Sequence, residues 1–284
     1  MRVRLDVAYD GGAFAGWAVQ PGRRTVQGVL EEALAVIVRR AEGERPRLVV
    51  AGRTDAGVHA SGQVAHVDLS PAQLAALGRR RGGAGDASDV AERMTGLLGR
   101  TGDVLVRRSS LAPDGFDARF GAVFRRYRYR VADRLESCDP LDRGRTLLHP
   151  RRLDDALMAE AARLLPGLHD FGSFCRPRPG ATTIRELHAF DWTRQPDGLL
   201  VAEVRADAFC RGMVRALVGA GIAVGSGRIA PQRVGELLQS PVRRDDFTVA
   251  PAHGLTLVEV GYPPDDLLAD QAARTRALRE LEPS

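Results

Sequence analysis

The sequence predicts an α+β fold with a mainly antiparallel or mixed sheet flanked by helices. Strand-like segments outnumber those that a strict alternation of strands and helices would give. Residues 184–194 and 199–206 flank a turn sequence at 195–198, which predicts an antiparallel hairpin. Residues 212–224 are apolar nearly all round, which is typical of a buried helix.

The first half of the chain follows hydrophobic periodicity and turn chemistry. Val3, Leu5, Val7 and Tyr9 alternate with mostly polar residues and predict a half-buried strand. Thr25 is a typical N-cap residue for the helix that follows it. The predicted elements are a strand at 3–9, a helix from Thr25 to about residue 40, strands at 47–51 and 63–69, a loop at 78–89, a helix at 90–98 and a strand at 103–108.

The second half repeats the combination of sheet and helices. Its predicted elements are a strand at 123–131, a helix with Leu153, Leu157, Ala161 and Leu164 on one face, the hairpin, the apolar helix at 212–224, a helix from Pro231 to Pro241, a strand at 255–260 and a charged tail after Pro264. We therefore expect an N-terminal α/β lobe at 1–110, a C-terminal α/β lobe at 111–264 and a charged tail at 265–284.

The composition excludes several protein classes. The 284 residues carry 41 basic and 36 acidic side chains, net +5, and every basic one is arginine. Either an arginine-rich genome or selection for a polyanionic partner accounts for this, since arginine binds phosphates bidentately. Three cysteines without CxxC spacing and six scattered histidines predict neither a disulfide framework nor a metal site. No apolar run approaches the roughly 18 residues of a membrane span. Because a strand pattern starts at Met1, we expect no signal peptide and a cytoplasmic protein.

Residues 52–59 carry the densest chemical signal. Gly52 and Gly57 bracket Arg53 and Asp55 directly after a predicted strand. Glycines there permit a tight backbone and the close approach of a large ligand. An ordinary polar turn with a surface Arg–Asp pair would have the same sequence.

Arginines near the apolar helix are a second signal. Arg211 and Arg215 are four residues apart and would lie on one side of a helix. A buried arginine requires a partner, so an acidic group should meet Arg215. A structural salt bridge, or an arginine whose head reaches solvent near the helix end, would also explain it.

Residues 124–130 place aromatic and basic side chains on opposite faces of one strand. Tyr127 and Tyr129 share one face, and Arg126, Arg128 and Arg130 share the other. Such a strand suits base stacking and phosphate binding to RNA. It also suits a core strand whose arginines face water.

Residues 51–64 closely resemble the signature of the TruA family of tRNA pseudouridine synthases. Further blocks that resemble this family occur in the same order at 9–11, 16–17, 116–120, 125–129, 170–174, 213–215, 218–219 and 254–258. The resemblance covers about residues 3–263. The arginine-rich stretch 79–83 looks unlike the family. Many members have Asn-Leu-Pro where this chain has 97–102, and Asn often stands where this chain has Ala216.

The resemblance implies a fold, an activity and a set of site residues. It implies a two-lobed pseudouridine-synthase-like fold with a basic central cleft, usually homodimeric, that isomerises uridines 38 to 40 of the tRNA anticodon stem-loop without a cofactor. By position, the matched residues are Asp55, the essential aspartate; Tyr127, which stacks on the target base; Arg215, which pairs with the aspartate; Leu255, which packs under the site; and Arg53, which assists base extrusion. We add Arg126 and Arg128 as predicted substrate-binding residues. The rivals are a non-catalytic RNA-binding protein on the same scaffold and a nucleic-acid N-glycosidase.

Overall fold

The computed structural model describes residues 1–38, 44–78, 86–99, 101–176, 180, 182–239 and 245–276. The strands in chain order are β1 (Arg2–Tyr9), β2 (Leu48–Val50), β3 (His59–Asp68), β4 (Val104–Leu111), β5 (Phe124–Ala132), β6 (Leu147–Leu148), β7 (Gly167–Asp170), β8 (Ile184–Arg194), β9 (Leu200–Ala206) and β10 (Leu255–Gly261). The α-helices are α1 (Val26–Val38), α2 (Pro71–Gly78), α3 (Asp89–Leu98), α4 (Asp155–Ala162), α5 (Met213–Gly225), α6 (Pro231–Glu236) and α7 (Leu268–Arg276).

The chain forms two compact units. Unit 1 contains residues 1–123 and 258–276, and unit 2 contains residues 124–257. In unit 1, β1 lies between β3 and β4, and β2 pairs with β3; all three pairings are antiparallel. In unit 2, β9 lies between β5 and β8, and β8 pairs with β7, again antiparallel, whereas β6 pairs with β5 in parallel. The predicted α+β class with a mainly antiparallel sheet is confirmed.

Alternation of buried and exposed side chains explains the strands of unit 1. Val3, Leu5 and Val7 of β1 are fully buried, as their period of two predicts. Burying each such side chain stabilises the fold by about 1.5–3 kcal/mol. Thr25 caps α1 as predicted, because its hydroxyl accepts a hydrogen bond from the amide of Gly28 at 3.3 Å.

The buried helix α5 organises unit 2. Twelve of its thirteen residues are buried, and Arg215 alone is half-buried. The predicted hairpin is confirmed, because β8 and β9 pair through the turn at 195–198. Within the described residues, no helix combines the length and the apolar character needed to cross a membrane.

The sequence analysis missed one helix, and two of its predictions about other helices are wrong. Helix α2 was not predicted, because the helix has only eight residues and carries only a weak apolar stripe. Helix α4 begins at Asp155 and ends at Ala162, so Leu153 and Leu164 lie outside it and do not share its face; Leu157 is exposed. Its buried residues are Met158, Ala161 and Ala162. Helix α5 begins at Met213, so Arg211 precedes it and does not share a helical side with Arg215.

The expected absence of a disulfide is also wrong. The structure joins Cys175 and Cys210, whose Cα atoms are 5.8 Å apart, within the range that a disulfide spans. Their separation of 35 residues carries no spacing signal, because the β8–β9 hairpin between them brings them together. The predicted ends of the first helix and of the helix from Pro231, and most of the predicted loop at 78–89, lie outside the described residues.

Candidate active site

The loop at 52–59 connects β2 to β3 in unit 1. Thr54 is buried, Asp55 is half-buried and Arg53 is exposed. The predicted strand at 63–69 in fact begins at His59, so the second half of the signature lies in β3. A short loop between two strands that pair with each other fixes both of its ends, and so presents Asp55 from a rigid frame.

A second loop, at 11–17, packs against this one. The amide of Trp17 donates to the carbonyl oxygen of Thr54 at 3.0 Å, and the amide of Gly57 donates to that of Phe14 at 3.3 Å. Gly16 has φ of +99°, and a Cβ there would lie 2.9 Å from the Thr54 oxygen. Only glycine combines that backbone with such a close approach. The backbone on the N-terminal side of Asp55 is therefore held by the chain before helix α1.

Strand β5 carries Tyr127 in unit 2. Tyr127 is 8% exposed, and its ring packs edge-on against Phe209 at a centroid distance of 5.2 Å. Tyr129, two residues on, is fully buried and donates its hydroxyl to the carbonyl oxygen of Pro251 at 2.9 Å. Both tyrosines thus lie on the packed face of the strand. The sequence singled out Tyr127 but not Phe209, whose only signal was its aromatic character just before the apolar helix.

Arg126, Arg128 and Arg130 of β5 lie on its other face, as predicted. Arg126 and Arg128 both contact the carboxylate of Glu203 on β9, at 3.2 and 2.6 Å. Arg130 pairs with Asp142. Burial alone would raise the pKa of Glu203, but the hydrogen bonds and positive charges of the two arginines lower it overall. The carboxylate is therefore ionised at neutral pH and offsets one of the two positive charges.

Helix α5 places Arg215 in its first turn. The Arg215 Nε donates to the carbonyl oxygen of Ala250 at 2.7 Å, and the Arg215 carbonyl oxygen accepts from the Ala250 amide at 3.0 Å. Burial raises the pKa of Tyr129, and the positive charge of Arg215 opposes that rise. The segment at 250–255 thus links the helix to β5.

Leu255 begins β10 and is 4% exposed. It follows Gly254, where a Cβ would lie 2.5 Å from the ring of Tyr129. Arg215 donates a hydrogen bond to Ala250 and Leu255 follows Gly254, so the segment at 250–255 connects both residues to Tyr129 within unit 2. Tyr127 lies on the same strand, whereas Asp55 and Arg53 belong to unit 1.

Comparison with known proteins gives the family. A family model described as tRNA pseudouridine synthase matches residues 161–263. The tRNA pseudouridine synthase A of Leifsonia xyli subsp. xyli is 56% identical, over 99% of this chain and 98% of the relative. The chain belongs to the tRNA pseudouridine synthase A family. The enzymes of that name from Frankia casuarinae and Mycobacterium leprae are 54% and 49% identical, each over 98% of this chain and 96% of the relative.

The alignments with the tRNA pseudouridine synthase A relatives span nearly the whole chain and so include the positions of the predicted site residues. The segment matched by the family model contains Arg215 and Leu255, whereas Asp55 and Tyr127 lie before it. The full-length relatives cover both parts. The resemblance seen in the sequence is therefore confirmed as kinship.

Proposed function

We propose that this pseudouridine synthase isomerises uridines 38 to 40 in the anticodon stem-loop of tRNA, with the Asp55 carboxylate as its essential catalytic group. Kinship with the tRNA pseudouridine synthase A family supports the enzyme class, an isomerase, and tRNA as the substrate. The observation that carries the catalytic assignment is the half-buried carboxylate of Asp55 in a glycine-bracketed loop that the loop at 11–17 holds in place.

The reaction fits a carboxylate without further chemical help. The N1–C1′ bond of uridine breaks, the uracil turns, and a C5–C1′ bond forms, with the C5 proton removed and N1 protonated. The atoms balance within one nucleotide, and no electrons are transferred. A carboxylate serves as a nucleophile at the sugar or the base, or as a general base at C2′. All three routes use the ionised carboxylate of Asp55. Because no electrons are transferred and no group leaves the nucleotide, we propose no cofactor.

Tyr127 and Arg215 are the other proposed catalytic residues. A base inside a stem must leave its stack to be reached, which costs a few kcal/mol. Stacking on an aromatic ring returns about 1–3 kcal/mol per base, and we assign that role to Tyr127. We assign to Arg215 the electrostatic support of the carboxylate, and to Leu255 the apolar packing beneath the base. The contacts of Arg215 with Ala250 support this role because they fix the direction of its guanidinium group.

Arginines are the proposed means of binding tRNA. Arg53 is exposed beside Asp55, where it would assist extrusion of the base. Arg126 and Arg128 are held by Glu203 and retain one net positive charge between them. Phosphate contacts of this kind make affinity fall steeply with salt. We further propose the basic cleft, the homodimer and the cytoplasmic location that the family resemblance implies.

Pseudouridine mapping on an unmodified tRNA transcript tests the proposal. The wild-type protein should introduce pseudouridine in the anticodon stem-loop and leave the mass of the RNA unchanged. Loss of uracil from the RNA would identify an N-glycosidase. Binding without pseudouridine would identify an RNA-binding protein on the same scaffold.

The variant Asp55→Asn tests the catalytic assignment. Because the amide is nearly isosteric with the carboxylate, folding and tRNA binding should survive. Turnover should fall by about 10²–10⁴-fold or more, because an amide is neither a useful nucleophile nor a base at neutral pH. Single-turnover assays and melting curves measure both effects. Near-wild-type turnover of this variant would refute the role of Asp55.

Arg215→Ala and Arg211→Ala form a matched pair. Arg215→Ala removes the hydrogen bond to Ala250, which costs about 1.5–3 kcal/mol because the donor is charged. It should also lower turnover by on the order of a hundredfold, through the lost positive charge. Arg211 is exposed and precedes the helix, so its replacement should change neither quantity appreciably. Equal turnover in the two variants would contradict the role of Arg215.

A further inference from the structure

Tyr9 lies at the end of β1 with its hydroxyl buried. The side chain is 5% exposed, and its oxygen lies 2.8 Å from the Thr54 Oγ1. The Nε2 of Gln63, a fully buried residue of β3, donates to the same tyrosine oxygen at 3.2 Å. Three buried polar side chains from two strands and one loop therefore meet at one point, and one of them, Thr54, directly precedes Asp55.

The directions of these hydrogen bonds follow from the available protons. Gln63 uses its amide group as a donor to Tyr9 and also to the carbonyl oxygen of Gly52, at 2.9 Å. The tyrosine oxygen is therefore an acceptor toward Gln63, and its own proton is available for Thr54. Burial raises the pKa of Tyr9 to about 12, so the phenol keeps that proton throughout the physiological range.

This network grips the loop at 52–59 at two points. Gln63 holds the carbonyl group of Gly52, and Tyr9 holds the side chain of Thr54. The carbonyl group of Thr54 is held independently by the Trp17 amide. Both the main chain and the side chain of the residue before Asp55 are thus fixed. A buried polar group that loses its partner destabilises the fold, so the loop cannot shift without a penalty.

We propose that Tyr9, Thr54 and Gln63 form a positioning triad that holds the catalytic loop, with the Tyr9 hydroxyl as its central group. The inference rests on the proposed role of Asp55. Catalytic groups must stand within about half an ångström of their productive position, and a 1 Å displacement can cost on the order of a hundredfold in rate. The triad acts on turnover through Asp55 and makes no contact with substrate of its own.

Tyr9→Phe removes the central hydroxyl and little else. We expect kcat to fall between about tenfold and a hundredfold, with KM for tRNA within about twofold, because the loop loses its position and not its binding groups. The matched control is Tyr262→Phe, which removes the hydroxyl that donates to the Ala118 carbonyl oxygen at 2.7 Å, also in unit 1. It should lose a similar amount of stability and keep its kcat.

Two substitutions of Thr54 separate positioning from simple loss of structure. Thr54→Val keeps the shape and removes the hydroxyl, and should reproduce the fall in kcat. Thr54→Ser keeps the hydroxyl and should restore kcat to within about threefold of the wild type, on the same geometric argument. Single-turnover rates, KM and melting temperatures of all four variants are measured beside Asp55→Asn.

The outcomes distinguish the two levels of the argument. If Asp55→Asn is inactive while Tyr9→Phe and Thr54→Val keep wild-type kcat, the triad is refuted and the proposed function stands. If Tyr9→Phe and Tyr262→Phe lose kcat equally, or kcat falls only with the folded fraction, the triad is likewise refuted. If Asp55→Asn is active, the proposed catalytic role falls, and the triad with it.

Discussion

Arg194, at the end of β8, is the centre of a buried polar network, and its contacts predict how much stability each substitution in the network should cost. Its two terminal nitrogens donate to both carboxylate oxygens of Asp133 at 2.8 and 3.0 Å, and its Nε donates to Asp155 at 3.0 Å. It also donates to the carbonyl oxygens of Gly198 and Leu153. The side chain of Asp133 is 0% exposed, and that of Arg194 is 15% exposed. Removal of Arg194 therefore leaves the charge of Asp133 shielded from water, whereas Arg194 without Asp133 keeps some exposure and the contact with Asp155.

The contacts predict an asymmetry between the two single variants. Arg194→Ala leaves the Asp133 carboxylate buried, with a hydrogen bond from the Leu153 amide at 2.8 Å, so it should cost about 3–5 kcal/mol. Asp133→Asn leaves Arg194 with Asp155 and two carbonyl groups, so it should cost less, about 1.5–3 kcal/mol. The control is Arg233→Ala, because the side chain of Arg233 is one-third exposed; its loss should cost much less than the loss of Arg194.

Urea unfolding measures these differences. The chain has two tryptophans, Trp17 in unit 1 and Trp192 on β8 in unit 2. In a Trp17→Phe background, fluorescence reports on the surroundings of Trp192, two residues from Arg194. If the free energies of unfolding of Arg194→Ala and Arg233→Ala differ by less than about 1 kcal/mol, the expected cost of leaving a buried charge unpaired is refuted for this site.

The pH dependence provides an independent check. Burial alone would raise the pKa of Asp133, but the hydrogen bonds from Arg194 and the Leu153 amide, with the charge of Arg194, lower it overall. A carboxyl group whose folded pKa is depressed stabilises the fold above its unfolded pKa, about 3.9, and loses that contribution as pH falls through the folded value. In Arg194→Ala the carboxyl group protonates more readily, so the cost of the substitution should shrink as pH falls.

Two further predictions concern unit 1. Burial, together with the charge of Arg2, lowers the pKa of His66, whose Nδ1 accepts a hydrogen bond from the Ala118 amide. The free energy of unfolding should therefore fall as pH drops below about 6.5 toward the folded pKa. Urea unfolding at pH 7.5 and at pH 5.5 measures this loss, which should be smaller in His66→Asn. A Cβ at Gly62 would lie 2.2 Å from the main-chain oxygen of Val258, so Gly62→Ala should cost about 1–3 kcal/mol. Its control in the same melting assay is the open helical site Gly96, where alanine should stabilise by about 0.5–1 kcal/mol; a stable Gly62→Ala protein would contradict the close approach.

Much of the fold was predictable because the strands and the buried helix carry strong periodicity. The alternation in β1 and the turn at 195–198 each specify local structure through one physical rule, and both predictions are confirmed. Helix α4 shows where the method fails. The helix starts after the N-cap residue Asp154, whose side chain accepts hydrogen bonds from two amides. The predicted face grouped Leu153 and Leu164 with this helix, although both lie outside it.

The candidate site was predictable only in part. Asp55 was singled out because two glycines bracket it in a short loop, but its catalytic role was predicted only from the resemblance of residues 51–64 to the family signature. The hydrogen bond between Tyr9 and Thr54 joins residues 45 positions apart, and the link between Cys175 and Cys210 depends on a hairpin between them. Such pairings come from the register of strands that are distant in sequence, which a single sequence does not specify.

Unit 1 is built from two separate segments of the chain, and this has a consequence for its synthesis. Residues 258–276 complete the unit that begins at Met1, and the main-chain hydrogen bond from Val123 to Gly261 and the contact of Tyr262 with Ala118 tie them in. On the ribosome, the 134 residues of unit 2 must be made first, which takes roughly 7–27 s. The loop that carries Asp55 therefore belongs to a unit that stays incomplete until residues 258–276 have been translated.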